Sequence, residues 1–182
     1  KEELAFKAET WECLNLFPEL KPSSFGPGDE VLFAECPGGK WRYMNRILPE
    51  HTPLPTCYSG RQGEVVFDGP VVIPALYYKN RRGDWELDPF MSLTPMEIIS
   101  LRGGTRLAKG HVIIGGLGLG HQLIEVCKRN LTKTGRHSRS PKVTKVTVVE
   151  IDQSLVDWIM PRIRPHFGET PVEVIVGDAW QE

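Results

Sequence analysis

An open α/β fold built on a parallel sheet follows from three stretches of this 182-residue chain. The first is His111 to His121, HVIIGGLGLGH, where the run Val112-Ile113-Ile114 stops at Gly115-Gly116 and an amphipathic run begins at His121. The second is Val146 to Asp152, VTVVEID, and the third is Val172 to Ala179, VEVIVGDA. Each is a short apolar run that ends in glycine or acid, which suits a strand buried on both faces and leading into a polar turn. The order strand, glycine turn, helix, strand, acid, helix, strand, Gly-Asp is the first half of such a sheet.

Residues 1–90 have a different texture. Pro18, Pro22, Gly26-Pro27-Gly28, Pro37-Gly38-Gly39, Pro49, Pro53 and Pro55 cut them into short pieces. Strand-like runs lie between: 31–34, 41–44, 64–67, 71–73, 75–78 and 85–87, with turns at Asp68-Gly69-Pro70 and Arg82-Gly83-Asp84. The expectation is a small, mostly antiparallel β region with one short helix at about Leu4 to Leu16. Residues 91–182 form the second domain. It opens with Thr94-Pro95-Met96-Glu97, a threonine cap, proline at the first helical position and glutamate at the third. That helix should stop at Gly103-Gly104. Residues 90–97 read equally as a connector or as one wall of a site.

The helix after the glycine turn carries Leu123, Ile124 and Cys127 on one stripe. Residues 128–145 then hold Lys128, Arg129, Lys133, Arg136, Arg139, Lys142 and Lys145 with no acid among them, and Gly135, Ser138, Ser140 and Pro141 mark a loop. The expected role is a solvated, mobile loop; the sharper reading is phosphate contact with nucleic acid, weakened by the lack of an aromatic residue for base stacking. After the second strand a helix should begin near Ser154, its length limited by Pro161 and Pro165.

A net charge of −1 argues against a global field for nucleic acid or membrane, and the 40% hydrophobic content suffices for a core. No apolar run is long enough to span a bilayer, and the charged start KEELAFKAETWE lacks a signal peptide's apolar core. Cys13, Cys36, Cys57 and Cys127 are scattered with no C-x-x-C pair, so reduced thiols, no metal site and a cytoplasmic location are expected.

The glycines decide the ligand partly by spacing. A dinucleotide G-x-G-x-x-G fails in both registers, since its third position falls on His121 or Leu123, and a P-loop fails because Gly120 is followed by His121-Gln122. What remains is G-x-G-x-G: Gly116, Gly118 and Gly120. Such a turn brings backbone close to a ligand, and the helix behind it offers free N–H groups. Glu150, at the end of the second strand, can accept two hydrogen bonds from a ribose diol. Asp152 lies just before a helix, where it can serve as a cap instead. Asp178, after the third strand, can accept from an adenine amino group. Together these residues describe a ligand with a ribose and an adenine and no pyrophosphate grip.

GGLGLG, VVEID and VIVGDA resemble the class I S-adenosylmethionine-dependent methyltransferases, and within them the spermidine synthase-like branch most. The resemblance covers about residues 110–180. It implies a Rossmann-like three-layer αβα sandwich, of which the first half is present, and S-adenosyl-L-methionine as cofactor. By it Gly116, Gly118 and Gly120 line the methionine and ribose, Glu150 binds the ribose hydroxyls, Asp178 and Ala179 lie at the adenine, and Asp152 is counted with the cofactor-binding residues. The chain departs from the common methyltransferase pattern at Ile114, where an acid usually stands two residues before the first glycine. It departs from the aminopropyl-transferring branch at 85–94, which lacks the glutamine and the Asp-Glu pair that hold the polyamine. Methyl transfer to an unnamed acceptor is therefore the first expectation. Aminopropyl transfer from the decarboxylated cofactor is the second, and a non-catalytic binding domain the third. The family sheet continues beyond a third strand, so the native chain is expected to be longer; otherwise the free edge at Val112–Ile114 is covered by the β region or by a second copy of the chain.

Overall fold

The computed structural model describes residues 2–58, 61–132, 134–139 and 141–181. The chain divides into two compact units, one of Lys1–Glu35 and Gly39–Leu101, the other of Cys36–Gly38 and Arg102–Glu182.

The first unit holds β1 (Glu2–Phe6), β2 (Ala34–Glu35), β3 (Trp41–Leu48), β4 (Leu54–Tyr58), β5 (Arg61–Phe67), β6 (Val71–Tyr78) and β7 (Met91–Ser92). They form two sheets, β2-β3-β6-β7 and β1-β5-β4. Every pair is antiparallel except β1 with β5. Leu48, Val65, Phe67, Val71 and Ile73 make a core drawn from both sheets, and Phe6, Trp11 and Leu54 pack on it.

The helix expected at Leu4–Leu16 does not form. Its place is taken by β1 and a single 3-10 turn, Ala8–Thr10. Pairing overrides propensity here: β1 runs in register beside β5, and the Asp68 carboxylate accepts the Ala8 N–H at 2.7 Å. The run 31–34 yields only Ala34–Glu35, and 85–87 only a bridge from Trp85 to Lys79. The runs 71–73 and 75–78 are one strand, β6. Pro74 is tolerated within it because its carbonyl, which accepts from Leu93 N–H at 3.0 Å, faces the β7 side. The missing N–H faces the same side, where β7 pairs only from Ala75 on.

One fully buried polar residue organises this unit. Asn45 Nδ2 donates to the carbonyls of Phe17 and Leu20 at 3.1 and 3.0 Å and to Asn15 Oδ1 at 3.2 Å. Its Oδ1 accepts from the Tyr43 hydroxyl at 2.7 Å, and that hydroxyl accepts from Leu16 N–H.

The division between units falls within α1 (Pro95–Leu107). Thr94 Oγ1 accepts from Glu97 N–H at 3.4 Å, as its spacing requires. The helix does not stop at Gly103-Gly104 but continues for another turn, and Gly104 serves close approach: a Cβ there would stand 3.3 Å from Gln122 Nε2. The second unit continues with β8 (Gly110–Gly115), α2 (His121–Lys128), β9 (Val143–Glu150), α3 (Gln153–Ile163) and β10 (Val172–Val176). α3 runs through Pro161 because Ile159, Met160 and Ile163 hold it against the core. The sheet order is β10-β9-β8, all parallel, so β8 is an edge.

The chain steps one way across this sheet, and right-handed crossovers therefore put α2 and α3 on the same face. Ile114 is buried, whereas Ile113, on the opposite face, is 70% exposed. In the second unit α2 and α3 thus cover one face of a three-stranded parallel sheet.

Cys13, Cys36 and Cys127 are thiols rather than halves of a disulfide. Burial pushes the Cys13 thiol up to about 12 and the Cys127 thiol up to about 11, so both are inert at neutral pH. No described helix is long and apolar enough to cross a membrane.

Candidate functional site

The carboxyl ends of β8, β9 and β10 lie at one end of the sheet, and backbone hydrogen bonds tie them together. Gly116 N–H donates to Val149 carbonyl at 2.7 Å and Gly177 N–H to Glu150 carbonyl at 3.0 Å. From β8 the chain turns through Gly116, Gly118 and Gly120 at φ of +85°, +51° and +76°. Between them Leu117 and Leu119 point inward and are buried. Alternation therefore does two jobs: leucines anchor the turn, and glycines supply the left-handed backbone that side chains disfavour.

The three glycines differ in what surrounds them. A Cβ on Gly116 would meet nothing within 4 Å, so its outer side is open. Gly120 caps α2, and a Cβ there would lie 2.5 Å from Ile163 Cδ1 of α3. The smallness of Gly120 serves helix packing.

Glu150 is buried beneath the turn. Its Oε2 accepts the Leu117 N–H at 2.7 Å and its Oε1 the Asp152 N–H at 3.0 Å. An ionised carboxylate has about four lone-pair sites, so each oxygen keeps one for a further donor. Asp152 is the N-cap of α3: Oδ1 accepts from Ser154 N–H at 2.9 Å, Leu155 N–H at 3.3 Å and the Ser154 hydroxyl at 2.6 Å. Asp178 shapes the turn after β10, accepting Trp180 N–H at 3.0 Å on its carboxylate and Gln181 N–H at 2.9 Å on its carbonyl. That turn reaches β8, since a Cβ on Gly115 would stand 3.6 Å from the Ala179 Cβ.

The structure thus brings Gly115–Leu117, Glu150 and Ala179 together from three separate segments. It turns Gly120 toward α3 and engages Oδ1 of Asp152 in a cap. It also adds a residue that motif spacing does not mark. Ile151 is 72% exposed although it follows a buried strand, and an apolar side chain left outward between two acids is the signal that could have found it. His121 opens α2 and is half-buried. Burial pushes its imidazole down, Lys128 and Arg102 push the same way, and Glu125 opposes them. The turns at this end carry Glu150, Asp152 and Asp178 and no lysine or arginine. No group of three or more His, Cys, Asp or Glu is placed to hold a metal ion among the described residues.

Compared with protein-family models, with curated proteins and with solved structures, the chain matches none.

Proposed function

We propose that this end of the sheet binds S-adenosyl-L-methionine and that the chain is a cytoplasmic methyltransferase on the Rossmann-like three-layer plan. The observation that carries the reading is the grip of Glu150 on the glycine turn, Oε2 to Leu117 N–H at 2.7 Å. It couples the two segments that must hold the ribose and sulfonium portions of one ligand, and it leaves carboxylate lone pairs for a diol.

The residues fit such a ligand in three ways. Open space over Gly116 admits a chain that a Cβ would block. The exposed face of Ile151 offers an apolar wall for a flat ring. Asp178 and Ala179 stand in the turn that approaches Gly115, where an amino group on that ring would find an acceptor. When bound, the cofactor supplies a sulfonium methyl group that leaves by in-line displacement. The chain's own part is positioning: the turn and Glu150 fix the ribose, and α2 presents its first free N–H groups beside them.

Titration calorimetry with S-adenosyl-L-homocysteine tests the reading. Glu150→Ala should weaken binding by about 1.5–3 kcal/mol, the worth of a hydrogen bond to a charged group. Absence of binding by the parent protein, or equal affinity in parent and variant, overturns the assignment.

A further inference from the structure

We propose that the amino ends of β8, β9 and β10 form a docking platform for the phosphodiester backbone of duplex nucleic acid, seated on Lys109, Arg136, Arg139 and Lys142.

The described residues of the segment between α2 and β9 are tied down by hydrogen bonds. Asn130 is fully buried beneath it. Its Nδ2 donates to Val143 carbonyl at 2.7 Å and Thr170 Oγ1 at 2.9 Å, and its Oδ1 accepts Val143 N–H at 2.9 Å. Its carbonyl accepts Ser138 N–H at 2.7 Å. Leu131 and His137 bridge as a short antiparallel pair, and Thr132 closes the turn by donating to Arg136 carbonyl at 2.7 Å. Lys142 carbonyl accepts Gly110 N–H at 2.8 Å, which brings Lys109 to the same surface. Lys133 and Ser140 lie outside the described residues.

Apart from Arg129, which is half-buried, the described charges here divide into two sets. Lys128 pairs with Glu125 at 2.6 Å and Lys145 with Glu173 at 2.5 Å. Lys109, Arg136, Arg139 and Lys142 are exposed, and no described carboxylate pairs with any of them. In the segments that precede the three strands, 108–109, 129–142 and 164–171, the single acid is Glu169, which faces His137 at 3.6 Å. Helix dipoles account for Lys128 at the end of α2 but not for Arg136, Arg139 or Lys142, which lie outside any helix. Cations held on a tethered loop with no neutralising partner suit an external row of anions, and guanidinium suits phosphate oxygens.

The kind of polyanion follows from what the loop lacks. It has no aromatic side chain on which a splayed base would stack, which disfavours single strands. Residues 129–142 hold no exposed large apolar residue, and Leu107 beside Lys109 is a single exposed apolar side chain, too little to enter a lipid interface, which disfavours a membrane. A phosphate backbone held in duplex form remains. The platform stands a strand's length from the glycine turn, about 15–25 Å for strands of this size, so it is separate from the cofactor site and its test needs no cofactor.

Fluorescence anisotropy with labelled duplex RNA, duplex DNA of the same sequence, the single strands, and anionic phosphatidylserine vesicles as competitor provides the test. Both the parent protein and Arg136→Gln/Arg139→Gln/Lys142→Gln are titrated, and thermal melts verify that the variant, changed only at exposed positions, folds. Four phosphate contacts predict that affinity for duplex falls about a hundredfold between about 50 and 200 mM salt, and that the triple variant shows a log–log salt slope shallower by about 2.7. Arg81→Gln/Arg82→Gln, in a turn of the first unit, should bind as the parent does. The RNA and DNA arms identify which backbone is preferred. No binding at low salt, preference for single strands, binding to vesicles in place of duplex, or equal loss in the Arg81/Arg82 variant overturns the proposal.

Discussion

At the carboxyl ends of β8, β9 and β10 the chain turns on glycines and acids; at the amino ends of the same strands it turns on arginines, lysines and one buried asparagine. Parallel crossovers make this contrast physically natural. The crossover helices α2 and α3 both begin at the carboxyl end of the sheet and finish at the amino end, so their positive termini gather at one pole and their negative ones at the other. Acids such as Asp152 complement the first pole, and Lys128 the second. The two poles nevertheless hold their shape by different means. The glycine turn is held by backbone conformation and by one carboxylate from the neighbouring strand. The basic segment is held by Asn130, whose side chain satisfies Val143 and Thr170 and whose main-chain carbonyl takes Ser138 N–H, and by the Leu131–His137 bridge. What this teaches is that the two poles should fail independently.

The sharpest break is at Gly120. An alanine there would sit at φ +76° and drive its Cβ toward Ile163 Cδ1. Left-handed strain and overpacking together should destabilise the second unit by about 2–4 kcal/mol. Hydrogen exchange should register the loss across α2 and α3. Pairing it with Ile163→Ala should recover the packing share and leave the strain, so purely additive effects would show that Gly120 and Ile163 do not interact.

Asn130→Ala attacks the opposite pole. It orphans Val143 N–H and carbonyl in a buried place, at about 1–3 kcal/mol. Amides of Ser138 and Arg136 should lose protection while those of Leu117 and Ile124 keep theirs. Equal loss at both ends would dissolve the comparison.

Asp152→Ala gives the smallest effect, about 1 kcal/mol for a lost helix cap. It should lower the urea midpoint and leave S-adenosyl-L-homocysteine affinity within error, in contrast to Glu150→Ala. A large loss of affinity would move Asp152 from the cap to the ligand.

Local chemistry made much of the second unit legible. Short branched runs, glycines at alternate positions and an acid at a strand end are contiguous signals, and β8, β9 and β10 lie where they point. Long-range pairing accounts for what was not legible. β4 contains Pro55 and reads as broken chain, yet it is an edge strand beside β5, where a missing N–H is tolerated. β1 reads as helix because its partner lies about sixty residues away. Within the site, the glycine and acid positions could be named, but not their division of labour. Nothing near Gly120 announces Ile163, and nothing near Glu150 announces that its carboxylate will hold Leu117 N–H across 33 residues. The tethers of the segment over 128–145 were not legible because Asn130, which ties it to β9, is common in loops for other reasons.

Asn45 carries a consequence for how residues 15–23 find their place. That segment forms no regular strand, and its described backbone bridge to β3 is Ser23 against Arg46. One bridge sets no register, and a segment displaced by two positions along β3 would meet the same pattern of backbone groups. It would, however, take the carbonyls of Phe17 and Leu20 from the Asn45 amide, leaving the amide nitrogen and both carbonyls without those partners in a dry interior. Tyr43, on the same strand as Asn45, would keep its bond to the amide and lose the Leu16 N–H. A buried amide therefore acts as an alignment pin for irregular chain, penalising near-native competitors that hydrophobic packing alone would tolerate.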